Sequence, residues 1–85
     1  KMGKKVLNCK KGDIQKGTVI ATFDEISKKY PSTKRHAAFY DSHDSQTIWV
    51  FDQWNKQGMS KRRSIRLKNL PNRNVNDAKY YYVVE

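Results

Sequence analysis

The sequence lacks most of what would narrow its function at once. It has one cysteine, Cys9, so no internal disulfide can form, which neither requires nor excludes secretion. No run is long or apolar enough to span a bilayer. No signal peptide is visible, because Lys1-Met2-Gly3 has no apolar stretch behind it; a mature or excised fragment would look the same. There is no internal repeat and no long amphipathic helix. Glycine-rich phosphate loops, zinc-ligand spacings and nucleophile elbows are missing too, so no cofactor or metal is expected. Acid is also scarce. Eight acidic residues face eighteen basic ones, a formal charge of +10. That excess suits an anionic partner, such as nucleic acid, an acidic polymer or a membrane surface, although it also serves plain solubility.

The chain of 85 residues allows one small domain with a marginal core. Only 36% of residues are apolar, yet two tryptophans, five tyrosines and three phenylalanines supply them in large pieces. That argues for a folded domain rather than disorder. Residues 1–16 hold six lysines and one acid, Asp13, and read as a basic lead-in with a short strand at Val6-Leu7. Residues 17–85 read as an antiparallel β domain. Thr18 to Phe23 is rich in β-branched residues and predicts a strand. Asp24 to Lys29 could hold one helical turn capped by Asp24, ended by Tyr30-Pro31. Further strands are predicted at 36–41, 46–52, 61–67 and 79–84. The expected fold is mainly β: a small curved sheet of about five strands, a half-barrel.

Strands 36–41 and 46–52 are separated by turn-forming residues and should pair as a hairpin. Side chains alternate with period two. A five-residue loop, Ser42 to Gln46, aligns like faces and pairs Asp41 with Thr47, Tyr40 with Ile48, Ala38 with Val50 and His36 with Asp52. Directly opposed Cβ atoms lie about 4.5–5.5 Å apart, close enough for a histidine–carboxylate hydrogen bond. Such a carboxylate fixes the imidazole tautomer and favours the imidazolium form. The plain alternative is a strand-end salt bridge. Both faces of this hairpin are apolar: Ala38, Tyr40, Ile48 and Val50 on one, Phe39, Trp49 and Phe51 on the other. A sheet buried on both faces needs two covering layers, and with no helix in sight to supply either, another chain, a dimer partner or an upstream segment is expected.

Other groups have competing readings. Asp41, His43 and Asp44 could ligate a metal but are also ordinary turn formers. Arg62, Arg63, Arg66 and Lys68 form a basic stretch that could bind phosphates or an acidic polymer, or could simply protect an edge strand. Tyr80, Tyr81 and Tyr82 with Trp54 could stack on bases or sugars, with at least one ring facing the core. A small basic module binding nucleic acid or another anionic polymer is therefore the alternative to an enzyme.

The runs Gly17 to Phe23, Tyr30-Pro31, Arg35-His36-Ala37-Ala38-Phe39-Tyr40, Ile48-Trp49-Val50-Phe51-Asp52-Gln53-Trp54 and Lys61 to Leu67 resemble the C-terminal half of a bacterial family of small CHAP-like proteins. These look like distant members of the NlpC-type papain-like cysteine peptidases and amidases. The resemblance spans roughly residues 14 to 85. It implies amide hydrolysis, plausibly in cell-wall (peptidoglycan) peptide, and a secreted or envelope-targeted protein. It implies His36 as general base and Asp52 as the acidic residue that orients it. In such enzymes the cysteine opens a long upstream helix that covers the sheet, and this chain has neither that helix nor a cysteine in such a context. A second chain or an upstream segment would supply that helix. Cys9 is the one substitute within the chain; its flanking lysines should lower its pKa, although a simple exposed thiol is the blander reading.

Overall fold

The computed structural model describes residues 1–31, 35–52, 54, 55, 58, 59, 61–71 and 74–85, with the backbone alone described at 54, 55, 58 and 59. β-Branched and aromatic residues make up all of Thr47–Phe51 and Tyr81–Val84 and all but Ala21 of Val19–Thr22, as sheet packing favours. The strands are β1 (Met2–Lys5), β2 (Val19–Thr22), β3 (Ala37–His43), β4 (Thr47–Phe51), β5 (Trp54–Asn55), β6 (Gly58–Met59), β7 (Arg62–Arg66) and β8 (Tyr81–Val84). Among the described residues, one open antiparallel sheet has the order β1-β8-β2-β3-β4-β7, and β5 pairs with β6 apart from it. The mainly β architecture expected from the sequence is present. The sheet has six strands because Met2–Lys5 pairs with the chain's last strand. The strand expected at Val6-Leu7 is instead a 3-10 turn, Val6–Asn8. Asp24 caps a tight turn rather than a helix: its carboxylate accepts from the Ile26 and Ser27 amides.

One face of the sheet carries the main core. Ile20, Ala38, Tyr40, Ile48, Val50, Ile65 and Tyr81 line it, and Val6, Ile14 and Ala78 close over them. The lead-in and the last loop thus cover this face with short turns instead of a helix. Gly17, at φ 94°, brings the chain from lead-in to β2 in a conformation that side chains rarely adopt. Its amide donates to the Tyr40 carbonyl, which extends the β2–β3 ladder.

The other face is aromatic, and much of its cover is cationic. Lys16 Nζ lies 5.6 Å from the Phe51 ring centre, the Arg62 guanidinium 6.0 Å from Trp49 and Lys5 Nζ 6.0 Å from Tyr82. Their aliphatic stems cover ring surface while their charges reach carboxylates, Lys16 and Arg62 to Asp41 and Lys5 to Glu25. Phe23 packs edge-on against Tyr30 and Tyr82. A shallow groove of about 370 Å³ remains between Val19, Ala21, Phe23, Tyr30, Ala37 and Val84.

The central hairpin departs from the expected register. The observed pairs are Phe39 with Phe51, Tyr40 with Val50, Ser42 with Trp49 and His43 with Ile48. Two local features cause the difference. Asp44 shortens the turn, so that four residues, 44–47, lie between the paired His43 and Ile48: its carboxylate accepts from the Gln46 and Thr47 amides, both at 2.8 Å. Asp41 is then an extra residue, a bulge between the Tyr40 and Ser42 pairs. Lys16 and Arg62 hold its carboxylate at 3.3 and 3.2 Å.

Candidate active site

Antiparallel order brings five side chains to one end of the sheet. Tyr81 starts β8, Thr22 ends β2, His36 precedes β3, Asp52 follows β4 and Arg63 lies near the start of β7. Alternation puts them on the core face, at its rim. Thr22 fixes His36 from behind. The His36 amide donates to Thr22 Oγ1 at 3.0 Å, and the Thr22 amide donates to the His36 carbonyl at 3.0 Å. Thr22 is fully buried and His36 half-buried, so this pair of bonds is partly sheltered from water.

His36 and Asp52 do meet: Nε2 lies 2.9 Å from Asp52 Oδ1. They are not directly opposed, as the five-residue loop required. Extending the observed register sets Asp52 against Ala38, so the histidine reaches its carboxylate diagonally. Nε2 is the engaged nitrogen, which leaves Nδ1 for a reacting group. The ring is about 30% exposed and can be approached from solvent.

Arg63 joins the pair, a role hidden within the basic stretch of the sequence. Its Nε donates to both Asp52 oxygens, at 2.9 and 3.2 Å. Its Nη2 lies 2.9 Å from His36 Nε2. Tyr81 lies beside Arg63 and interacts with it electrostatically, and its hydroxyl donates to the Val75 carbonyl at 2.7 Å. Arg63 chiefly, and His36 after it, hold the Asp52 carboxyl below its usual range, against partial burial. Burial pushes the Tyr81 hydroxyl well above its usual range, so it stays a neutral donor.

Cys9 stands at the opposite end of β3. His43 Nε2 donates to the Cys9 carbonyl at 2.8 Å. Seven residues of extended chain separate His43 from His36, roughly 20 Å. The two sites are therefore far apart, and Cys9 cannot pass its proton to His36. Nor do lysines activate the thiol. Partial burial, then Asp13, push its pKa up, against a smaller pull from Lys4. Its Sγ lies 3.4 Å from the Lys5 carbonyl.

The remaining candidates separate. Asp41 pairs with cations, Asp44 caps the turn, and His43 is buried between Tyr40 Oη, 2.6 Å from Nδ1, and the Cys9 carbonyl. Among the described residues, no group of three His, Cys, Asp or Glu side chains could hold a metal. Tyr80, Tyr81 and Tyr82 are 5%, 0% and 8% exposed, so none offers a free stacking face. The Trp54 side chain lies outside the described residues. Asp77 was indistinguishable from its loop in the sequence. It is fully buried and accepts backbone amides from Lys68, Leu70 and Lys79.

With this geometry in place, comparison with known proteins gives the family. Residues 1–84 match the family described as Domesticated amidase effector 2. The chain belongs to that family. A protein named Domesticated amidase effector 2 from Ixodes scapularis is 42% identical over 76 residues, which cover 89% of this chain and 49% of that protein. A Type VI secretion amidase effector 2 protein from Salmonella typhi is 38% identical over 86 residues, covering 86% of this chain and 63% of that one. A solved structure of Type 6 secretion amidase effector 2 (Tae2) superposes with a TM-score of 0.72 at 35% identity, covering 99% of this chain and 66% of that one. The chain thus spans about half to two thirds of the length of these relatives. The family is an amidase effector family, in keeping with the amidase part of what the motifs suggested.

Proposed function

We propose that this chain is the sheet half of a papain-like, CHAP- or NlpC-type cysteine amidase that cleaves amide bonds in cell-wall peptide. The observation that carries this reading is the His36 Nε2–Asp52 contact of 2.9 Å in a member of an amidase effector family. His36 is the general base and Asp52 orients it. With its Nε2 proton directed at Asp52, the ring has a bare Nδ1 to accept a thiol proton. The thiolate adds to the amide carbonyl carbon, and the imidazolium returns the proton to the departing amine nitrogen. Water then releases the acyl group by the same base.

The attacking cysteine comes from outside these 85 residues, on an upstream segment or a second chain, and opens the helix that the resemblance implies. Peptidoglycan is an anionic polymer, and a net charge of +10 favours its approach. A secreted or envelope location fits that substrate.

The test is His36→Ala in the complete protein, with release of peptide from purified cell wall as the readout. Loss of a general base should lower turnover about 10²–10⁴-fold. Unchanged turnover would end the reading.

A further inference from the structure

An arginine that merely clamps a carboxylate presents two N–H groups to two oxygens. Arg63 does not. Its Nε alone faces both Asp52 oxygens, at 2.9 and 3.2 Å, and its second arm, Nη2, is turned onto His36 Nε2 at 2.9 Å. Nε2 therefore meets an acceptor and a donor at the same distance, 2.9 Å from Asp52 Oδ1 as well. It cannot satisfy both at once. When Nε2 carries hydrogen it donates to Asp52, and the Arg63 N–H has no acceptor there. When Nε2 is bare it accepts from Arg63, and the ring proton sits on Nδ1.

We propose that Arg63 is a positioning residue that sets which nitrogen of His36 carries the proton. This rests on the reading of His36 as the base that works through Nδ1. Asp52 draws the proton to Nε2 and leaves Nδ1 able to accept one. Arg63 draws the neutral ring toward the opposite tautomer, in which Nδ1 is occupied and cannot act as base. The resting chain is divided between the two. Tyr81, whose hydroxyl donates to the Val75 carbonyl, lies next to the arginine on the core face.

The chain carries its own standard for measuring this. It has two histidines, and His43 Nε2 faces the Cys9 carbonyl, which only accepts. His43 is thereby fixed with hydrogen on Nε2. Long-range proton–nitrogen spectra of the 85-residue chain with labelled histidine, taken where both rings are neutral, report each ring nitrogen separately. In the unaltered chain His36 Nε2 should resonate between the bare type and the protonated type that His43 displays. Arg63→Met should move it to the protonated type. Arg63→Lys keeps a cation for Asp52 and removes the second arm, so it should move Nε2 in the same direction in a chain whose ion pair survives. Asp52→Asn should move it the other way, toward the bare type. An Nε2 resonance unmoved by both arginine variants would overturn the role of Arg63. That result leaves the base reading standing if His36→Ala abolishes cell-wall turnover. Moved resonances with fully active His36→Ala would overturn the base reading alone.

Discussion

At the scale of single residues, Thr22 shows how a core position serves the site. Its hydroxyl oxygen is the acceptor for the His36 amide, and nothing in its sequence context sets it apart from the other β-branched residues of β2. Thr22→Val keeps the shape and removes that acceptor. An amide left without a partner costs about 1–3 kcal/mol when buried, and the half-buried His36 amide should fall at the low end of that range. The urea midpoint should fall accordingly, and the His36 amide should exchange faster with solvent. Thr22→Ser keeps the oxygen and should restore slow exchange; if valine exchanges as slowly as threonine, Thr22 does not hold His36. The histidine–aspartate contact was legible in the residues because alternation puts both side chains on one face. Arg63 was not. Its neighbours Arg62 and Arg66 have the same charge, and only the side of the strand that each occupies separates a partner of Asp52 from a cover for Trp49.

At the scale of elements, β2, β4 and β8 could be read from β-branched and aromatic runs, but the hairpin register could not. It depends on a bulge at Asp41 that long-range partners hold, Lys16 from the lead-in and Arg62 from β7. Local turn residues carry no record of those partners. The same holds for the last loop. Asparagines and Pro71 announce a loop there, yet Asp77 is the residue that organises it. Its Oδ1 accepts the Lys68 and Lys79 amides at 2.9 and 3.1 Å, and its Oδ2 the Leu70 amide at 2.8 Å. Asp77→Ala leaves three backbone donors without their acceptor. At about 1 kcal/mol or more for each, a loss of at least ~3 kcal/mol is expected, a large part of the stability of a domain this small. Chemical denaturation of the variant checks this, and a loss below ~1 kcal/mol would show that the loop is held by something else. The damage should reach the site, because the Val75 carbonyl that receives the Tyr81 hydroxyl lies in this loop.

At the scale of the whole molecule, scarce acid does much of the joining. Glu25 ties the turn after β2 to Lys5 and Tyr82, Asp41 ties the bulge to the lead-in and β7, Asp52 ties His36 to Arg63, and Asp77 ties the last loop together. All four have carboxyl pKa values held below their ordinary ones. In Glu25, Asp41 and Asp77 burial pushes upward, and hydrogen bonds outweigh it: from Tyr82 and Lys5, from Ser42, Lys16 and Arg62, and from the backbone amides of Leu70, Lys68 and Lys79. For Asp52 the Arg63 bond leads. A carboxyl with a depressed folded pKa contributes stability that is fully present above its unfolded value, 3.8 for aspartate and 4.5 for glutamate, and is lost as pH falls through the folded value. Asp52, more than a third exposed, adds least because water screens it. The net charge of +10 adds to the effect, since each proton taken up raises the self-repulsion of a chain already strongly basic. The thermal midpoint should therefore be nearly level from pH 7 to pH 5, begin to fall below 4.5 and drop steeply below 3.8. Circular dichroism melts across that range decide it. Asp77→Asn, which cannot titrate, should be less stable at pH 7 and should lose less on acidification. A midpoint that stays level down to pH 2 would mean that these carboxylates do not join the elements of this sheet.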